Sequence, residues 1–255
     1  MSGKGQTYDA MFFRRAYRYL CKRIGIYYQK SYAQCGEDLI VDYIFHSLNI
    51  AHPSYLDIGA HHPRFLSNTY FFYRQGGRGV CVEPDPVLFR KINRARKRDC
   101  NLNVGMAARR GILQLHVFSS RTLNTFSAEE AKKYISEGHD QIALHDIEVL
   151  TFSDVIQRHF DQDPDFVSLD VEGMDLEILQ SIDFSSCRPT VFCIETITYS
   201  RSGEGERLTQ IDKIMAEHGY MKYADTHINS IYVLRERWLA RAGNSKLCAD
   251  NGEAD

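Results

Sequence analysis

The sequence predicts a doubly wound α/β domain on a mostly parallel sheet with an antiparallel edge. Three observations carry this expectation. Strand-like and helix-like segments alternate through the middle of the chain, the pattern of β–α–β crossovers. The segments "FVSLDV" (166–171) and "TVFCIETI" (190–197) are apolar, β-branched runs, as strands covered on both faces require. Near the end, "MKYADTH" and "SIYVLRER" flank "INS", which reads as a hairpin.

Taken in order, "SYLDIGA" (54–60) is the first strand, and a helix is expected over about 67–76. "GVCVEP" (79–84) is the second strand. The helix "PVLFRKINRARKR" follows, with Pro86 at its start, where the missing N–H costs nothing. "NLNVGMA" (101–107) is expected as a third strand and "GILQLHVFSS" (111–120) as a half-buried one. The helix "GMDLEILQSI" lies between the two buried strands, and "ERLTQIDKIMAEHGY" is a helix leading into the hairpin. No internal repeat and no second domain are read.

Composition bounds the function. The chain has 255 residues, 44% hydrophobic and 25% charged, with a formal net charge of -2. These values fit a globular domain with no global field for nucleic acid. No apolar run approaches the ~20 residues of a membrane span, and no secretory leader is expected, because the N-terminus lacks an uninterrupted apolar core. Seven cysteines, odd in number and without C-x-x-C spacing, point to a reduced, cytoplasmic protein.

Residues 1–30 form a distinct basic extension. Phe12, Ala16, Leu20 and Ile24 recur every four residues among Arg14, Arg15, Arg18, Lys22 and Arg23, so an amphipathic helix is expected. Two readings stay open. It either docks on the domain or contacts a partner or an inner membrane surface. The domain proper is placed at 31–240, and the polar segment 241–255 is expected to be disordered.

The chemistry concentrates in "YLDIGAHHPRFLSNTYFF" (55–72). In doubly wound sheets ligands bind where the strands end at the switch point. Asp57, Gly59 and Ala60 close the first strand, and Glu83 closes the second, suitably placed for a ribose diol. A dinucleotide pyrophosphate needs close backbone approach at a helix N-terminus, which His62 and Pro63 obstruct. S-adenosylmethionine (SAM) carries no phosphate and needs one tight turn and a ribose acid, so SAM is preferred over NAD.

These residues resemble the FkbM-type SAM-dependent methyltransferases. The likeness rests on "SYAQCGED" (31–38), "YLDIGAHHPRFLSNTYFFYRQGGRGVCVEPDP" (55–86), "FVSLDVEGMDLEILQSIDF" (166–184), "RPTVFCIET" (188–196) and "THINSIYV" (226–233). It implies the class I methyltransferase (Rossmann-like) seven-stranded sheet with a C-terminal hairpin. It further implies O-methylation, often of sugar hydroxyls in polysaccharides or glycosylated metabolites. On the cofactor side it carries over to Gln34, Asp57, Gly59, Ala60 and His61, and to Ser67, Asn68, Glu83 and Pro84. His62–Pro63 departs from the acid and glycine of many members.

Methyl transfer to a sugar hydroxyl needs near-attack placement and removal of a proton. Asp170 and Glu172 in "LDVEG" and Glu195 in "CIET" stand at strand tips expected to be neighbours. Asp170 and Glu195 would suit Mg²⁺ or another divalent cation. The alternative has Glu172 favouring a helix N-terminus and Asp170 holding the SAM ammonium. His227 in the hairpin turn is a candidate base, beside Asn229. "DPDF" (163–166) resembles the motif of amino-group methyltransferases acting on DNA but precedes the fourth strand, so no nucleic-acid partner is expected. A saccharide or glycoconjugate acceptor is the leading reading; a nucleic-acid or protein substrate and a SAM-binding protein without turnover are the alternatives.

Overall fold

The computed structural model describes Arg23, residues 29–197 and residues 205–241. Contacts divide the chain into two units, Met1–Lys30 and Ser31–Asp255. The expected helix within 1–30 and the tail at 242–255 lie outside the described residues, Arg23, Gln29 and Lys30 excepted.

In chain order the elements are α1 (Glu37–Ser47), β1 (Ser54–Ile58), α2 (Tyr70–Arg74), β2 (Arg78–Val82), α3 (Pro86–Ala95), β3 (Cys100–Leu102), β4 (Gly105–Met106) and β5 (Gly111–Phe118). There follow α4 (Ala128–Ser136), β6 (Gln141–Leu150), α5 (Phe152–His159), β7 (Phe166–Leu169), α6 (Asp175–Gln180), β8 (Val191–Glu195), α7 (Thr209–Glu217), β9 (Tyr220–Asp225) and β10 (Asn229–Leu234). The main sheet has seven strands in the order β3-β2-β1-β7-β8-β10-β9. Pairing is parallel from β3 to β8, and β10 runs antiparallel to both β8 and β9. The chain winds outward from β1 and returns to its other side at β7. The switch point therefore lies between Ile58 and Leu169, which are register partners.

Alternation along the central strands supplies two cores. Leu56, Ile58, Val167, Leu169, Phe192 and Ile194 pack with Phe152, Val155, Ile178, Ile211 and Met215 of α5, α6 and α7. Tyr55, Phe166, Val191 and Cys193 pack on the other face with Val41, Ile44 and Phe45 of α1. Each fully buried Leu, Ile or Phe contributes about 1.5–3 kcal/mol relative to exposure; the buried polar residues within these strands, Asp57 and Ser168, are matched by hydrogen bonds from Thr69, Arg96 and Asn68.

Two expectations are corrected. The single strand at 101–107 breaks into β3 and β4, because Asn103 turns its amide to the carbonyls of Glu83 and Pro84. Beyond the break, β4 joins a second sheet of order β4-β6-β5. The strand at 111–120 therefore pairs antiparallel with β6, a strand the sequence reading passed over because "QIALHDIEVL" mixes polar and apolar residues without clean alternation. The expected helices are present but shorter. α2 starts only at Tyr70, because Asn68 and Thr69 spend their side chains on tertiary hydrogen bonds and Ser67 Oγ accepts from the Tyr70 N–H.

Candidate functional site

The carboxyl ends of the parallel strands open into a cavity of about 450 Å³, a size suited to a cofactor-sized ligand. Gly59 follows β1 at φ 82, and a Cβ there would sit on the Asp170 carbonyl oxygen. Only glycine permits this turn to close against the end of β7. Glu83 at the tip of β2 is buried and held by two backbone donors, the N–H of His61 at 2.7 Å and that of Asp85 at 2.8 Å. Burial pushes its carboxyl up to about 8, against the pull of those donors.

Of the residues expected on the cofactor side, Gln34, Gly59, His61, Asn68, Glu83 and Pro84 line this cavity. Asp57, Ala60 and Ser67 do not. The Asp57 carboxylate is turned inward, where it accepts from Thr69 Oγ1 and from the Arg96 guanidinium. Arg96 is fully buried and also pairs with Asp99 at 2.8 Å. Tyr55 donates its hydroxyl to Asp99 at 2.7 Å. Ser67 Oγ accepts from the Tyr70 N–H at 3.1 Å and thereby caps α2. Ala60 packs against Cys81 and Ile92. In this geometry the three residues hold the 60–69 loop from beneath.

At the far side of the cavity, β7 and β8 are adjacent, and Ser168 is the register partner of Cys193. Two residues on, Asp170 and Glu195 stand level on the same face, because side chains two apart share a face. Glu195 is in turn the register partner of Asn229 on β10. Carboxylate oxygens of Asp170, Glu172 and Glu195 lie within 4.8 Å of one another. Burial first, and then repulsion from neighbouring carboxylates, pushes all three carboxyls up, with Asp175 acting on each. None of the three forms an ion pair with a Lys or Arg among the described residues.

His227 is exposed at the rim, in the β9–β10 turn, where its N–H donates to Asp225. Five described non-glycine residues have left-handed φ, and four of them, His61, Leu66, Glu172 and His227, line the cavity. Such costly conformations cluster where a site needs a fixed shape. His62 fixes its own turn by accepting from the N–H groups of Arg64 and Phe65.

One wall was not legible in the sequence. Arg121, Thr122, Leu123, Asn124 and Phe126, between β5 and α4, close the cavity together with Met106 and Leu115. Arg121 and Asn124 anchor this segment to Asp85, the N-cap of α3. Turn residues in "SSRTLNTFS" signal a loop, but nothing in them names the surface it folds over.

The family model described as the methyltransferase FkbM domain matches residues 57–221. Among curated proteins, none matches the chain. Solved structures with similar folds include a TehB-like SAM-dependent methyltransferase from Corynebacterium glutamicum (9% identity, 91% of this chain and 100% of that one, TM-score 0.42). Another is a putative O-methyltransferase from Klebsiella pneumoniae (9% identity, 84% and 85%, TM-score 0.41). A third is a methyltransferase from Geobacter sulfurreducens (9% identity, 92% and 92%, TM-score 0.39).

Proposed function

We propose, from the premise that this chain belongs to the methyltransferase FkbM domain family, that it transfers a methyl group from SAM to a hydroxyl of a saccharide or glycoconjugate. The observation that carries the cofactor reading is the joint placement of Gly59 and Glu83 in one cavity without a phosphate cradle. The helix after β1 begins only at Tyr70, and its first N–H is taken by Ser67 Oγ. A helix of five residues whose first donor is already used is a poor cradle for a pyrophosphate. Glu83 keeps lone pairs beyond those given to His61 and Asp85, and these suit the two hydroxyls of a ribose. The residues therefore fit SAM, which supplies a methyl group already activated by its sulfonium.

The chain's own work is orientation and proton removal. Asp170, at the cavity floor, accepts a hydrogen bond from the acceptor hydroxyl and directs its oxygen along the line of transfer. His227, at the rim, takes the proton through its imidazole nitrogen. The Asp170–Glu195 pair supports a divalent cation as a second cofactor. A sugar acceptor suits a cavity whose far end is lined by carboxylates and amides, which accept and donate to hydroxyls at fixed angles.

Calorimetry with SAM and with NAD tests the cofactor. Glu83→Ala should weaken SAM binding by about 1–3 kcal/mol through the two ribose hydrogen bonds lost, at about 0.5–1.5 kcal/mol each. Unchanged affinity in a folded variant removes Glu83 from the site. A methylation assay across nucleotide sugars and defined oligosaccharides tests the acceptor class; methylation of RNA, DNA or protein in their place overturns it.

A further inference from the structure

We infer that Asn229 completes a preformed divalent-cation site with Asp170, Glu195 and Glu172, and that Glu37 sets this amide in its ligating orientation. The inference rests on reading this cavity as the methyl-transfer site.

Asn229 is buried, with 3% of its surface exposed, yet it lines the same cavity as the three carboxylates. Its Nδ2 donates to Glu37 Oε1 at 3.1 Å, while its Oδ1 is buried and has no hydrogen-bond partner. A buried carbonyl oxygen without a partner carries its full desolvation cost unless a ligand satisfies it. The amide cannot reverse to relieve this, because Oδ1 would then face the Glu37 carboxylate. Glu37 is fully buried and further fixed by Thr226 Oγ1 at 2.7 Å and by the Cys35 N–H at 2.8 Å.

Strand register explains why the donors converge. Asp170, Glu195 and Asn229 occupy level positions on three adjacent strands, facing the same side of the sheet, at a strand spacing of about 4.8 Å. Glu172 joins from the turn after β7, its backbone at φ 52 and its main-chain carbonyl held by Thr125 Oγ1 at 2.7 Å. Three carboxylates and one amide carbonyl, with no thiolate or imidazole, are the donor set of a hard cation such as Mg²⁺ or Mn²⁺. A SAM ammonium would also be attracted to carboxylates, but it brings N–H donors rather than an empty coordination sphere. Binding of the metal alone separates the two.

The test is titration of Mn²⁺ into chelator-stripped full-length protein without SAM, followed by paramagnetic resonance, with Mg²⁺ as competitor. SAM binding is measured in parallel by calorimetry. One Mn²⁺ should bind, and Glu195→Gln and Asn229→Ser should each weaken it at least ~10-fold. Glu37→Gln should also weaken it, because the Asn229 amide could then reverse. Glu195→Gln is nearly isosteric, so it decides the matter if Asn229→Ser fails to fold. No Mn²⁺ bound at about 1 mM, or equal affinity in Glu195→Gln, overturns the cation site while SAM binding still stands. Failure to bind SAM as well overturns the methyl-transfer reading beneath it.

Discussion

Arg96 shows how one residue can serve a site it never reaches. Its guanidinium lies under the cavity between Asp57 and Asp99, with Thr69 Oγ1 at 2.8 Å. Buried ion networks add little net stability when intact but are costly to break. Arg96→Met should therefore destabilise by about 3–5 kcal/mol, read from denaturant midpoints, because two buried carboxylates lose their cation. The double variant Arg96→Met with Asp99→Asn should recover part of that loss. A single variant within ~0.5 kcal/mol of wild type would show that the network does not support the loop.

In the proposed mechanism, the β9–β10 hairpin is the element on which orientation and proton removal meet. It delivers Asn229 to the row of carboxylates and holds His227 at φ 76 above them. The turn is fixed by Thr226, whose Oγ1 donates to Glu37 Oε1 and whose N–H donates to the Asn229 carbonyl. A histidine in left-handed conformation costs on the order of 1 kcal/mol, and glycine would not bear that cost. His227→Gly should thus leave the thermal midpoint unchanged or slightly raised, while turnover falls by about 100-fold or more. SAM affinity should be unaffected. Retained turnover, or loss of the alkaline-side plateau in Asp170→Asn rather than here, would move the base to Asp170.

Across the whole molecule, the concentration of buried acids at one end of the sheet shapes its response to pH. Glu83 is pushed to about 8, and Asp170, Glu172 and Glu195 are all raised by burial. An unfolded chain ionises these groups near 4.3 or below, so between about pH 4.5 and 8 the folded state binds more protons. Stability must fall as pH rises through that window. His61 and His62 act oppositely, since burial lowers both, but their effect is complete above about pH 7, once the unfolded imidazoles have lost their protons. Thermal midpoints of chelator-treated protein should therefore drop from pH 7 to 8, and the drop should shrink in Glu83→Gln. A midpoint rising over that interval would contradict the raised carboxyls.

Local chemistry made much of this readable in the sequence. The runs at 166–171 and 190–197 could only be strands covered on both faces, and the lone glycine at 59 could only be a tight turn. Adjacency of Asp170 and Glu195 followed from winding order alone, and the family followed from motifs in sequence order. What the sequence left open depended on partners distant along the chain. Asp57 reads as a cofactor acid because it ends a strand, but Arg96, 39 positions away, draws it inward. The side sheet escaped notice because β6 is half-exposed and its pattern is weak. The unsatisfied oxygen of Asn229 exists only because Glu37, 192 positions earlier, takes the other end of the same amide. Periodicity and turn chemistry report on a residue's neighbours in the chain; which buried polar group meets which is fixed only when the sheet closes and each must find a partner or a ligand.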